Sequence, residues 1–206
     1  MPRSRQASIV KATRHLSAAD PVMRQLIRKV GPCRLVLEKN RFEMLVRSII
    51  GQQISTKAAR SIHLHLKDLI GPGNMTPKSI LGKSQPQLRR IGISARKAGY
   101  LHDLAGKCCD ETLNLSQIGR FVDDDIILKL QTVRGVGVWT AQMFLMFSLG
   151  RPDVFPSGDL GILKAIHNLY GLKKLPDRNQ AQEIADRWKP YSTIACWYCW
   201  RSLDAD

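Results

Sequence analysis

From Phe42 the apolar residues Phe42, Leu45, Val46, Ile49 and Ile50 recur at i, i+3, i+4, i+7 and i+8, the period of one face of an α-helix. A second helical set follows at Ile62, Leu66, Leu69 and Ile70, with the break near Gly51. Strong alternating stretches of the kind that a half-buried strand requires are absent. The expected class is therefore all-α.

Helix start and stop signals extend this reading along the chain. Gly71 to Pro77, GPGNMTP, is a turn cluster, and Thr76 and Ser84 each precede a proline-bearing helix start. Ser94 is placed to cap a helix through Lys97, Tyr100, Leu101 and Leu104, while Asp123, Asp124 and Asp125 put acidic charge into the first turn of IILKL, where the helix dipole favours it. Asp177 with Gln180 has capping-box spacing, and Ser192 or Thr193 opens a last helix through Trp200. The strongest punctuation is GRPDVFPSGDLG, Gly150 to Gly161, a loop between two helical stretches.

A chain of 206 residues with 44% hydrophobic content buries a sizeable core, as one domain or as two lobes. Its 32 Lys and Arg against 17 Asp and Glu give a net charge of +15, which favours a polyanionic partner through counterion release and steering. Nucleic acid fits this best, and no membrane role is expected, because no apolar run approaches the ~18 residues of a spanning helix. The N-terminal MPRSRQASIVKATRH has no apolar core of a secretory signal and reads as an exposed basic arm. The five cysteines form no evenly spaced framework, which fits a reducing, intracellular compartment. Cys196 and Cys199 have C-x2-C spacing but lie in the apolar run IACWYCW without a second ligand pair, so buried thiols are expected there and no iron–sulfur cluster.

Leu130 to Ala141, LQTVRGVGVWTA, places a short G-V-G hairpin between two helices. Gly135 and Gly137 open backbone conformations closed to other residues, and the helix beginning near Trp139 presents unpaired N–H groups. Together they make a seat for a phosphate. Helix pairs in ordinary bundles also turn on glycine, so the hairpin alone does not decide the matter.

The run from Leu130 to Leu160 decides more: hairpin, apolar helix, Pro-rich loop, then Asp159. It resembles the signature of the helix-hairpin-helix DNA glycosylase superfamily, and within it the 3-methyladenine DNA glycosylase branch. FEMLVRSIIGQQIS, Phe42 to Ser55, and KPYSTIACWYCWRS, Lys189 to Ser202, look like the family's other marked segments, so the resemblance covers roughly residues 20 to 203. It implies a single glycosylase domain over 1–206 made of two helical lobes, 42–150 and 1–41 plus 151–206, with the active-site cleft between them. It also implies damaged double-stranded DNA as partner, minor-groove binding, a monomer, and a place inside the cell with the DNA.

The resemblance assigns roles by motif position. Asp159 matches the catalytic aspartate, which stabilises an oxocarbenium-like sugar and orients water; by itself it also reads as a helix N-cap for LGILKAIHNLY. Asp153 reads as a loop or cap residue. Trp139 and Tyr191, with Phe42 and Met143, fall at base-pocket positions, where stacking and cation–π attraction select a positively charged alkylated purine. Trp188, Trp197 and Trp200 read as core aromatics. Gln53 falls at the intercalating position, and Arg134, Gly135, Val136, Gly137, Thr140 and Lys57 at DNA-contacting ones; Lys97 is a phosphate contact on charge alone. The carbonyls of Gln131, Val133 and Val136 would seat a structural Na+ or K+, and no other cofactor is required. Trp139 stands where bifunctional relatives carry a Schiff-base lysine, so hydrolysis without lyase chemistry is expected. Met143 replaces a tyrosine of some relatives, and Ser192 an arginine that is frequent after the pocket aromatic, which leaves the lesion range open. The alternatives are a glycosylase for deaminated or oxidised bases and a non-catalytic helix-hairpin-helix DNA-binding protein.

Overall fold

The computed structural model describes residues 3–73 and 75–203. Asn74 of the expected turn cluster and Met1 and Pro2 of the expected basic arm lie outside the described residues. In chain order the α-helices are α1 (Arg3–Ala19), α2 (Pro21–Val30), α3 (Arg41–Gly51), α4 (Thr56–Ile70), α5 (Pro77–Leu81), α6 (Gln85–Arg90), α7 (Ala95–Cys109), α8 (Asp123–Gln131), α9 (Val138–Phe144), α10 (Leu160–Leu169), α11 (Arg178–Ala185) and α12 (Ser192–Leu203). Two 3-10 turns, Ile118–Arg120 and Asp186–Trp188, and a π-helical segment, Leu145–Leu149, complete the elements. Among the described residues there is no strand, and no helix is long and apolar enough to cross a membrane.

The chain divides into two compact units, Glu38–Phe144 and Met1–Leu37 with Leu145–Asp206. In the first, α3 packs on α4, α7 and α9, while α7 carries α5 and α6 and α8 pairs with α9. The face read from the sequence is the buried one: Phe42, Leu45, Val46, Ile49 and Ile50 are all inside, each contributing roughly 1.5–3 kcal/mol by leaving water. Its helices begin where side chains can replace missing intrahelical partners. Thr76 with Ser79, and Ser84 with Gln87, form reciprocal capping boxes, and Ser94 accepts from the Lys97 N–H. α8 starts at Asp123 without a side-chain cap, its three aspartates occupying the first turn.

In the second unit α12 is the central helix, packed on α1, α2 and α10. The N-terminal segment differs from the basic arm expected of it: α1 is a packed helix that buries Ile9, Ala12 and Leu16. These three residues share one helix face, and the basic residues interleaved with them masked the pattern. Asp20 is fully buried; its Oδ1 caps α2 through Val22 N (2.8 Å) and Met23 N (3.2 Å), while Oδ2 accepts from Tyr170 Oη (2.5 Å) and Trp188 Nε1 (3.3 Å). A buried carboxylate needs this many donors to be tolerated. Trp188 is thus a core aromatic, held by Asp20 and by the edge of Phe155.

Cys196 and Cys199 are buried one helical turn apart in α12, and burial pushes both thiols well up. Asp177 and Gln180 form the expected capping box of α11.

Candidate active site and nucleic-acid interface

Asp159 is the N-cap of α10, in extended backbone with φ −78° and ψ 116°. Its Oδ1 accepts from Ile162 N at 2.8 Å and from Trp200 Nε1 at 3.1 Å. The residue is 9% exposed, so a carboxylate is held almost out of water, with a main-chain donor and an indole donor among its partners. The N-terminus of α10 stabilises negative charge at this point. Gly161 is glycine for a local reason: a Cβ there would meet Asp159 Oδ1 at 3.0 Å and the Trp200 ring at 3.2 Å. The N-cap and catalytic readings of Asp159 are therefore compatible in one geometry.

The loop before Asp159 is pinned to the start of α12. Asp153 Oδ1 accepts from Ser192 N (3.2 Å) and Ser192 Oγ (2.5 Å), and Thr193 Oγ1 donates to Arg151 O while accepting from Val154 N. Asp153 is a cap residue, as its position indicated, and the serine in place of an arginine is its partner. Tyr191, half-buried, sets its ring edge-on to His15 at 5.2 Å and lines a cavity of about 90 Å3 with Ile9, Leu35, Met146 and Pro152.

In the other unit the hairpin between α8 and α9 matches its sequence reading. Gly135 has φ +82°, and a Cβ there would stand 2.2 Å from the Tyr100 ring, so the position requires glycine twice over. Gly137 has no neighbour within 4 Å of where its Cβ would be, which leaves its backbone open to close approach. Arg134 is exposed, with Nε 3.3 Å from Asp103 Oδ1, and its N–H donates to Asp103 Oδ2 at 2.9 Å. The Val136 N–H donates to Val133 O at 3.0 Å. The Val136 N–H is thus engaged within the hairpin and the Arg134 N–H by α7. Thr140 is 4% exposed, so it offers little surface for contact with DNA.

Trp139, at the second position of α9, is 46% exposed, which sets it apart from the buried Trp188; Trp197 and Trp200, expected as core aromatics, are only half-buried. Phe42 and Met143 are buried at 5% and 6%. Lys57 is exposed in the first turn of α4.

The loop between α3 and α4 carries Gln53, exposed and in the left-handed region with φ +58°. A non-glycine residue there is uncommon and is held by its surroundings. Arg96 Nη2 lies 3.4 Å from Gln53 Oε1, and Gln52 Nε2 donates to Gly135 O at 2.7 Å, joining this loop to the hairpin. Lys97 is not displayed outward as a bare charge would be. Its Nζ donates to Ile50 O (2.7 Å) and Gln52 O (2.6 Å), with burial and the Arg96 charge holding its pKa below the usual lysine value.

Trp200, Gln52 and Lys97 take up positions that spacing did not reveal. Trp200 reaches Asp159 across 41 residues of sequence, and Gln52 reaches Gly135 across 83. No local pattern encodes such pairs.

Residues 46–190 match the HhH-GPD superfamily of base excision DNA repair proteins. The chain is 32% identical over 200 residues to DNA-3-methyladenine glycosylase 1 of Schizosaccharomyces pombe, covering 95% of this chain and 88% of the relative. It is 29% identical over 203 residues to the alkylbase DNA glycosidase-like protein mag2 of the same yeast, covering 96% and 95%. Among solved structures, the S. pombe 3-methyladenine DNA glycosylase in complex with abasic DNA superposes with a TM-score of 0.86 at 32% identity, over 94% of this chain and 97% of that one.

Proposed function

The chain belongs to the HhH-GPD superfamily of base excision DNA repair proteins, and from that premise we propose that it is a DNA glycosylase that flips alkylated purines out of duplex DNA and hydrolyses their glycosidic bond. The observation that carries the reading is Asp159: a carboxylate 9% exposed, fixed by Ile162 N and Trp200 Nε1 at the head of α10, in the motif position of the catalytic aspartate.

A 3- or 7-alkylated purine is cationic, so the C1′–N bond breaks with its electron pair returning to the base, which leaves neutral. Positive charge then builds on the sugar. The Asp159 carboxylate opposes that charge and orients a water, whose oxygen bonds to C1′ while its proton passes to the carboxylate or to solvent. The product is an abasic site. Trp139 supplies no amine at the position of the Schiff-base lysine, so the strand stays intact. Its exposed indole offers a stacking face to a cationic base, and the motif positions of Tyr191, Phe42 and Met143 assign each of them to the base pocket as well.

DNA is held through main-chain groups of the Gly135 to Thr140 hairpin and by Lys57 and Arg134, while Gln53 enters the gap left by the flipped nucleotide. The carbonyls of Gln131, Val133 and Val136 form an all-oxygen donor set suited to a hard cation; Val133 O accepts one hydrogen bond and keeps a second lone pair. Na+ or K+ bound there would add positive charge near the phosphate.

The test is a panel of duplexes carrying a 3-methyladenine analogue, 7-methylguanine, uracil or 8-oxoguanine, assayed for abasic sites after alkali. Release from the alkylated duplexes alone supports the reading. Release from uracil or 8-oxoguanine alone assigns another lesion class, and binding with no release from any duplex assigns a non-catalytic module.

A further inference from the structure

The helical ladder of α3 stops at Gly51: the Gln52 N–H reaches back to Ile49 O at a long 3.4 Å, and the carbonyls that follow lie past the end of the ladder. Lys97, on a different helix, brings its ammonium to two of these, Ile50 O at 2.7 Å and Gln52 O at 2.6 Å. A cation is the favoured group at a helix C-terminus. The next residue is Gln53, in the left-handed conformation at φ +58°. The carbonyl of Gln52 belongs to the peptide group that it shares with Gln53. A hydrogen bond to that oxygen fixes the orientation of the peptide and thereby the φ available to Gln53.

We propose that Lys97 is a positioning residue for base extrusion: its ammonium, bridging Ile50 O and Gln52 O, holds the loop after α3 in the conformation that presents Gln53 to the base stack. The inference rests on the reading of Gln53 as the residue that fills the gap. Gln52 completes the brace from the other side through Gly135 O at 2.7 Å, so the Gln53 loop and the hairpin are held as one surface. Two of the three ammonium donors of Lys97 are used on main-chain carbonyls, which distinguishes it from the exposed Lys57.

The test is a double-mutant cycle of Lys97→Met and Gln53→Ala on the full chain, each variant checked for wild-type helicity and melting. Single-turnover excision from alkylated DNA and binding to abasic-analogue and undamaged duplexes are measured across a salt series. Lys97→Met should lower excision and abasic-analogue affinity by roughly tenfold, the scale of a lost hydrogen bond from a charged donor. It should leave undamaged-duplex affinity within about threefold with an unchanged salt slope, since no phosphate contact is removed. Against Gln53→Ala, the same substitution should add little, because both act on one step. Two results overturn the proposal: equal weakening on damaged and undamaged DNA with a salt slope smaller by about one, which makes Lys97 a phosphate contact, or losses that multiply across the cycle. If Gln53→Ala alone has no effect, the gap-filling reading fails, and Lys97→Met is then read by amide exchange of residues 50–55, where unchanged protection overturns the brace itself. Should Lys97→Met not fold, Lys97→Gln, which keeps an uncharged amide donor group, runs in the same cycle with the same outcomes.

Discussion

Asp159→Asn separates the chemistry of Asp159 from its structural work. Asparagine caps a helix about as well as aspartate, and its side-chain oxygen can still accept from Ile162 N and Trp200 Nε1, which now sit 2.8 and 3.1 Å from Oδ1. The fold should therefore lose only a few tenths of a kcal/mol. What disappears is the negative charge. A carboxylate about 4 Å from a unit positive charge, at an effective dielectric near 20, contributes about 4 kcal/mol, and at about 1.4 kcal/mol per tenfold that is roughly a thousandfold in rate. The assay is single-turnover base release from alkylated DNA, with duplex affinity and melting measured on the same preparation. Excision within a few-fold of wild type, in a variant that melts and binds normally, refutes the electrostatic role. Asp159→Ala is the contrasting control, since it also removes the cap at about 1 kcal/mol and leaves two donors without their acceptor.

Trp200→Phe removes the indole donor while keeping a ring near Phe147, with centroids now 5.7 Å apart; excision should fall by roughly tenfold, the scale of a hydrogen bond to a charged acceptor, with abasic-DNA binding kept, and unchanged single-turnover rates would dismiss Trp200 as a positioning residue. Gln53→Ala should weaken excision and abasic-analogue binding but not binding to undamaged duplex, and Gln53→Leu should restore part of the loss by filling the gap without hydrogen-bonding the orphan base; equal activity of all three proteins moves the wedge elsewhere. Borohydride should trap no covalent enzyme–DNA adduct, because Trp139 offers no amine, and efficient trapping would overturn the monofunctional reading. Gly135→Ala combines φ +82° with a Cβ 2.2 Å from Tyr100, for roughly 2–4 kcal/mol of strain and overpacking; a melting point within a degree of wild type would contradict the geometry of the hairpin.

How much of this was legible in the sequence depended on the range of each interaction. The buried face of α3, the capping boxes at Thr76, Ser84 and Asp177, and the hairpin at Gly135 are encoded within a few residues of themselves, and all could be read directly. The family's motif order then carried Asp159 to the head of α10. α1 was misread because charge density stood out more than Ile9, Ala12 and Leu16, whose spacing buries one face. Lys97 was misread for a related reason: a sequence records that a lysine is charged but not whether its ammonium meets phosphate or a carbonyl. The fully buried Asp20, joined to Tyr170 across 150 residues and to Trp188 across 168, left no local trace at all.

These long-range contacts are also what turn a motif into a site. A carboxylate 9% exposed is unfavourable unless donors and dipole meet it, and the N-cap position supplies a main-chain donor and the positive end of α10 before any tertiary contact forms. Trp200 then adds a donor that a local sequence cannot provide, and Gly161 leaves the space for its ring. The helix start thus lets a charge needed only in the reaction persist in the resting fold, and α12 fixes the direction in which the carboxylate points. On this account stability and activity respond differently to the same residue. Changes that keep an oxygen at the cap should fold and fail to react, and changes that keep the charge but lose Trp200 should fold and react slowly.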